Sequence, residues 1–368
     1  MSIVRSITSK LACIKFLNSN NLLDNYTTHI IRVFLLIFVV FSTKEICIGQ
    51  DPIFSQYYNA PMLVNSAFAG NSTSPNVSTI YRNQLPGIPN AFQTLAASYD
   101  QYFEKYNSGF GLVLSTDAAG SGALNTTKVA GVYSYKLQVG KNASLKGSID
   151  VGLGQRRLNW DKFVFFDALD PEFGLNLPNG PRLESAEIRP ENQSFNYTDL
   201  GVGLLYFSRN YYLGTSFGHI NSPRNSFLNP NTNSVKVNNE LKLRTAVQAG
   251  ASYYFGRTSR ESDAMNFIAP HLLFVNQGGF SQVNLGVYSE VNSFISGLAY
   301  RHAGNNGDAI ILNFGARVDQ YKITYSFDYN ISGLAFNGYG SHELSFLINF
   351  RNETKKSFDI NNCLQLFR

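Results

Sequence analysis

Charge is what this sequence has least of. Only 15% of its 368 residues are Asp, Glu, Lys or Arg, against roughly 25% in soluble domains. The 30 basic and 25 acidic residues leave a net charge of +5 with no basic run, so nucleic-acid binding has no footprint. Three cysteines in a chain of this length exclude a disulfide scaffold and a cysteine-based metal centre. A long apolar run is missing from the body of the chain. What is present instead is 29 Phe, 21 Tyr and 30 Gly. Disordered chains are poor in aromatics, so this one folds. Aromatics and glycine with little charge point to β-structure and to a membrane barrel.

Residues Ile30 to Phe41 read IIRVFLLIFVVF, and only Val33 to Phe41 is free of charge. A membrane-spanning helix needs about 20 apolar residues, so this stretch fits a signal-peptide core. Cys47-Ile48-Gly49 places small residues where a signal peptidase cuts. Lys44 and Glu45 stand where a lipoprotein signal at Cys47 needs small and apolar residues. The expectation is a presequence over 1–49, cleaved between Gly49 and Gln50. Its removal takes Cys13, Cys47, five basic and two acidic residues. The remaining chain then carries a charge of +2 and one cysteine, Cys363.

From Val77 onward, apolar and polar residues alternate with period two, the mark of strands with two different faces. Ile323, Tyr325, Phe327 and Tyr329 alternate with Lys322, Thr324, Ser326 and Asp328; Leu145, Ile149, Val151 and Leu153 with Lys146, Ser148, Asp150 and Gly152. Fourteen such segments are expected: 77–84, 90–103, 107–116, 124–139, 142–157, 195–208, 210–220, 239–256, 264–276, 279–291, 293–303, 308–318, 320–330 and 340–351. The even number and the length of each suit an outer-membrane barrel. A soluble two-sheet protein would use strands of about 5–6 residues and would not cluster aromatics at strand ends, as Tyr211-Tyr212 and Tyr253-Tyr254-Phe255 do. The fold expected is all-β: a transmembrane antiparallel barrel of about 14 strands over 77–351. A non-barrel segment (50–76) precedes it and a polar tail (352–368) follows.

No catalytic, metal or cofactor site emerges. Gly214-Thr215-Ser216-Phe217-Gly218 matches the G-x-S-x-G pattern of hydrolases, with His219 after it. That motif needs a helix behind the serine, and here it lies inside an alternating run. His219, His271, His302 and His342 show no metal-ligand spacing. Asn71, Asn125 and Asn196 open Asn-x-Ser/Thr triplets that an Asn-rich chain acquires by chance.

The segment after the expected cleavage site is QDPIFSQYYNAPMLVNSAFAG, Gln50 to Gly70. It resembles the N-terminal signature of the PorP/SprF family of the Bacteroidota type IX secretion and gliding-motility machinery. The resemblance continues in YRNQLPGIPNAFQTLAASYDQYF (81–103), STDAAGSGALNTTKVAGVYSY (115–135), LNWDKFVFFDALDPEFG (158–174), LGVGLLYFSRNYYLGTSFGHINSP (200–223) and GSHELSFLINF (340–350). The family's Asn-Pro-Ala is Asn65-Ser66-Ala67 here, Leu85 replaces its usual Trp, and Ala60 splits Asn59 from Pro61. On these blocks the signature residues are Asp51, Pro52, Phe54, Ser55, Gln56, Tyr57, Asn65, Phe68, Gly70, Asp117, Gly120, Gly122, His219, Ser341, His342 and Glu343.

The resemblance implies a non-enzymatic outer-membrane barrel that supports export or surface anchoring of a secreted partner such as an adhesin. Its partners would be outer-membrane lipid, secretion or gliding proteins and that adhesin. The alternative is a passive or solute-uptake channel. For residues 50–75, prolines at 52, 61 and 75 oppose a central strand. This stretch is either a periplasmic recognition element or is folded against the barrel, filling its mouth with aromatics. Deleting 51–70 is expected to leave the barrel inserted but inactive. The tail beyond Phe350 is expected in the periplasm. His342 and Glu343 alternate, so at most one of them faces lipid.

Overall fold

The computed structural model describes residues 51–368 apart from 73, 88–91, 170–184, 188, 228–239, 256–265, 305, 332–338, 351–363, 365, 366 and 368. The presequence and its cleavage site lie outside the described residues, as does most of the tail.

Alternation becomes strand wherever one face can meet lipid and the other the lumen. The strands are β1 (Asn76–Gln84), β2 (Phe92–Phe103), β3 (Ser108–Ala119), β4 (Leu124–Gly140), β5 (Ala143–Leu158), β6 (Ser194–Ser208), β7 (Tyr211–Gly218), β8 (Arg244–Ala251), β9 (Tyr253–Tyr254), β10 (Phe267–Gln277), β11 (Phe280–Val291), β12 (Phe294–Ala303), β13 (Asn306–Val318), β14 (Tyr321–Asn330) and β15 (Ser341–Asn349). Each pairs antiparallel with its sequence neighbours, except that β8 pairs with β10 rather than with β9. The two-residue β9 adds to β10 beyond β8. β1 pairs with β15 in unbroken register from Asn76↔Asn349 to Gln84↔Ser341. This seam closes fourteen strands into a barrel, and closure leaves no strand edge to be satisfied in hydrocarbon. No α-helix occurs among the described residues.

The faces are inverted relative to a soluble protein. Outside, Leu153 is 67% exposed, and Leu112, Ile149, Leu285, Leu298 and Ile323 are exposed with it. An apolar area of this extent has lipid as its solvent. Inside, Arg82, Lys146, Arg301, Lys322, Asp328 and Glu343 are buried.

The two ends differ. At one end the connections are 85–91, 120–123, 159–193, 219–243, 278–279, 304–305 and 331–340; at the other they are 104–107, 141–142, 209–210, 255–266, 292–293 and 319–320. Outer-membrane barrels keep long loops outside the cell and short turns in the periplasm. Exposed Phe103, Tyr106, Tyr135, Tyr211, Phe294 and Tyr321 gather at the short-turn end and Phe92, Phe217, Tyr300 and Tyr329 at the other, forming two aromatic girdles. β4, β5 and β6 have 17, 16 and 15 residues. At a typical rise and tilt, 16 residues climb roughly 40 Å, against an apolar band of about 25 Å. Their outward residues turn polar at the long-loop end, with Thr127, Gln155, Arg157 and Asn196 exposed. This side of the barrel stands above the membrane.

Candidate functional site

Residues 51–72 lie in the lumen. Twenty-two residues could reach about 70 Å when extended, far more than the membrane's depth, so the segment must coil to fit. It does so through three single 3-10 turns, at Tyr57–Asn59, Pro61–Leu63 and Ser66–Phe68. Pro61 opens the second turn, where its missing N–H costs nothing. The Asn65 side chain accepts from the Ala67 N–H at 2.9 Å and caps the third.

At the long-loop mouth, Asp51 is held by two walls. Its N–H donates to Gln277 Oε1 at 3.0 Å, and its carboxylate lies 2.8 Å from His219 Nε2. The other ring nitrogen, Nδ1, lies 2.8 Å from Asp199, which also pairs with Lys128. Burial pushes the His219 pKa down. The hydrogen bonds to Asp199 and Asp51, with their charges, outweigh that and raise it to about 9. Burial likewise opposes ionisation of Asp51, yet its hydrogen bond to His219, the His219 charge, Arg244 and Lys128 hold its carboxyl well below the usual range.

One level deeper, Ser55 and Gln56 meet the closing seam. Their backbone N–H groups donate to the two Glu343 oxygens at 2.7 and 2.8 Å. Ser55 Oγ donates to Asp328 at 2.6 Å and accepts from Arg82 at 2.9 Å and Arg301 at 3.0 Å. Arg82 pairs with Glu343 and lies 3.2 Å from Asp328, and Arg301 reaches Asp328 at 2.7 Å. Buried charges survive only when paired and hydrogen-bonded, and Ser55 supplies the central hydroxyl. Below it, Asn59 Nδ2 donates to Gln56, Thr324 and Ser345 at 2.6–2.8 Å.

The middle is aromatic. Tyr57 bonds His271 Nδ1 at 2.8 Å, and Tyr58 packs edge-on against Tyr288 at 5.1 Å. Asn65 Nδ2 reaches the Leu204 carbonyl at 3.1 Å. A Cβ on Gly203 would stand 2.2 Å from Asn65 Oδ1, so glycine admits the segment there. At the short-turn end, Asp100 accepts from the Gly70 and Asn71 N–H groups at 2.8 and 3.3 Å. Lys146 donates to the Ala69 and Gly70 carbonyls at 2.5 and 3.2 Å. Gly70 has φ +64, and a Cβ there would lie 2.6 Å from Gly109 Cα. Phe68 meets Phe367 at 4.4 Å, and Phe367 meets Tyr212 at 5.0 Å. Leu364 and Phe367 are both buried in this cluster. These two residues thus lie inside the short-turn end of the barrel, whereas the sequence reading expects the tail to extend into the periplasm; residues 351–363 lie outside the described residues.

The lumen accordingly gathers Asp51, Ser55, Gln56, Tyr57, Asn65, Phe68, Gly70, His219 and Glu343. Phe54 is buried with Ala60, Ile80 and Ala96, Pro52 is exposed at the mouth, and Ser341 is buried at the start of β15. Asp117 is on the lumen face near the long-loop end of β3, where it accepts from the buried Thr94 at 2.7 Å, while Gly120 and Gly122 stand apart in the β3–β4 turn with positive φ. His342 points outward to the Tyr325 hydroxyl at 2.7 Å, opposite in face to Glu343. Sequence reasoning missed Arg82, Asp100, Lys128, Lys146, Asp199, Arg301 and Asp328. The available signal was a charge at a lumen-phase position of an alternating strand, as with Asp328 after Lys322, Thr324 and Ser326. Ser216 and His219 form no dyad: Ser216 Oγ donates to the Val64 carbonyl at 2.6 Å, and both His219 nitrogens face carboxylates.

No curated protein matches the chain. Solved structures similar to it include the P. putida toluene transporter TodX (9% identity, TM-score 0.44, 80% of this chain and 94% of that one). Another is the CymD monoaromatic hydrocarbon channel (12%, 0.41, 83% and 95%). A third is the Acinetobacter baumannii outer membrane protein Omp33 (10%, 0.39, 76% and 100%). The family of type IX secretion system membrane proteins PorP/SprF matches residues 46–348, spanning the luminal segment and nearly every strand. This chain, an outer-membrane barrel closed around its own N-terminal signature, belongs to the PorP/SprF family.

Proposed function

We propose that the protein is a non-enzymatic component of the type IX apparatus that works by docking at its two ends, supporting export or surface anchoring of a secreted partner such as an adhesin. The observation that carries this reading is the filled lumen. Among the described residues, spaces between the segment and the wall measure about 70 Å³ and about 20 Å³. Spaces of that size hold at most a few waters, and nearly all of residues 54–72 is buried, which supports a lumen blocked to solutes by this segment among the described residues. Conduction, the alternative, would require expelling a segment held by buried ion pairs. Partners must then act on the rims: the connection 159–193, the N-terminal signature and the short-turn end.

Affinity capture of the tagged barrel from detergent-solubilised native membranes tests this. The expected result is co-purification of secretion-machinery proteins or a surface adhesin. A barrel recovered alone, with a steady open conductance in planar bilayers, overturns it in favour of a channel.

A further inference from the structure

The contacts of residues 51–72 descend the barrel in one direction. Asp51 touches Gln277, the last residue of β10, and His219, the first after β7; both lie at the long-loop mouth. Ser55 and Gln56 meet Glu343 and Asp328, each the third residue counted from the long-loop end of its strand. Asn59 contacts Thr324 and Ser345 at mid-height. Ser66 bonds Ser148 at 2.8 Å, and Gly70 reaches Asp100, near the short-turn end of β2. Finally the Phe350 N–H donates to the Pro75 carbonyl at 3.0 Å, beside the last pair of the closing seam. The segment crosses the lumen once, and β1 then begins at the short-turn end.

Long loops of outer-membrane barrels face outward. We infer that the signature segment is threaded through the barrel with its Asp51 end at the cell surface and its Gly70 end at the periplasm. Asp51 and the exposed Pro52 are thereby part of the outer face, beside His219 and the start of the connection 219–243. A secreted partner seated on the outer rim touches the signature directly, at Pro52 and a mixed-charge surface of Asp51, Lys128 and Arg244 with His219 buried beneath it. At the opposite end the segment is buried, with Phe68 packed on Phe367. One segment then runs from the outer face to the short-turn end of the lumen. This goes beyond the secretion reading, since the threading holds whichever partner is bound.

Cysteine accessibility in intact cells tests it. In a Cys363→Ser background, Asp51→Cys and Pro52→Cys are treated with a membrane-impermeant maleimide. Phe166→Cys, on a residue 91% exposed in the long connection 159–193, reports the outside. Lys141→Cys, in the short turn between β4 and β5, reports the periplasm. The expected result is labelling at 51, 52 and 166 in intact cells, and at 141 only after the outer membrane is permeabilised. Failure of both 51 and 52 to react in intact cells while 166 reacts overturns the threading. Reaction at 141 and not at 166 overturns its orientation.

Discussion

Arg82 of β1 and Glu343 of β15 are direct cross-strand partners at the seam that closes the barrel, and both are hydrogen-bonded to Ser55 of the luminal segment. Closure of the barrel and seating of the segment thus share the same buried charges. Arg82, Asp328 and Glu343 are each at most 5% exposed. Removing one member of such a group leaves the others uncompensated, which costs about 3–5 kcal/mol.

Glu343→Gln is expected to lower barrel stability by that order, because it removes the charge facing Arg82 and one acceptor of the Ser55 or Gln56 N–H. The measurement is the urea dependence of the heat-modifiable band of the folded barrel. Combining it with Arg82→Met should recover part of the loss, with a coupling energy of about 1 kcal/mol or more. Additive losses would show that the pair does not act as a unit.

The seam also revises what removal of the segment does. The sequence reading expects a barrel lacking 51–70 to insert and lose only activity. In the structure the segment supplies Ser55 to two arginines, two N–H groups to Glu343 and Phe68 to the aromatic cluster. The expected outcome is therefore a smaller folded fraction in outer-membrane preparations, read by heat-modifiability. Wild-type levels of folded barrel would contradict it.

At the short-turn end, Gly70→Ala meets two obstacles. A left-handed φ costs a residue with a Cβ roughly 1–2 kcal/mol, and here that Cβ faces the Gly109 backbone at 2.6 Å. Neither atom is the end of a flexible side chain, so the segment must shift away from Asp100 and Lys146. The destabilisation expected is at least about 2 kcal/mol, measured by the same urea titration. Gly279→Ala, where a Cβ at φ +92 has open space around it, isolates the conformational cost alone.

Much of this architecture was legible as alternation. The expected strand 320–330 is observed as Tyr321–Asn330, and 77–84 as Asn76–Gln84. Where the limits moved, a local cause is visible. The run 210–220 stops as β7 at Gly218 because His219 turns to φ +57. The stretch 239–256 starts as a strand only at Arg244, because Glu240 instead forms an isolated bridge with Arg224. The luminal site was not legible in the same way. Its segment has no period, and its partners run from Arg82 to Phe367, so no local pattern brings them together. Phe367 illustrates this: nothing around it in sequence says that it packs against Phe68, 299 positions away.

The outer latch gives a pH dependence whose sign follows from its two groups. His219 is raised from 6.5 to about 9 despite its burial, through its hydrogen bonds to Asp199 and Asp51. A raised value means that the folded state favours the proton. Its contribution is complete below about pH 6.5 and is lost as pH climbs through about 9. Asp51 is lowered, so its contribution holds above about pH 4 and fades as acid protonates it. A third of its side chain is exposed, so solvent screens its share more than that of His219. Between these limits Asp51 stays latched. Labelling of Pro52→Cys by a maleimide should therefore quicken between pH 7 and 9 beyond the rise intrinsic to the thiol, with Phe166→Cys as the reference. In a His219→Ala background that excess should vanish, leaving the two sites with parallel pH profiles. An excess that persists without His219 would assign the loosening to another group at the mouth and remove the histidine from the latch.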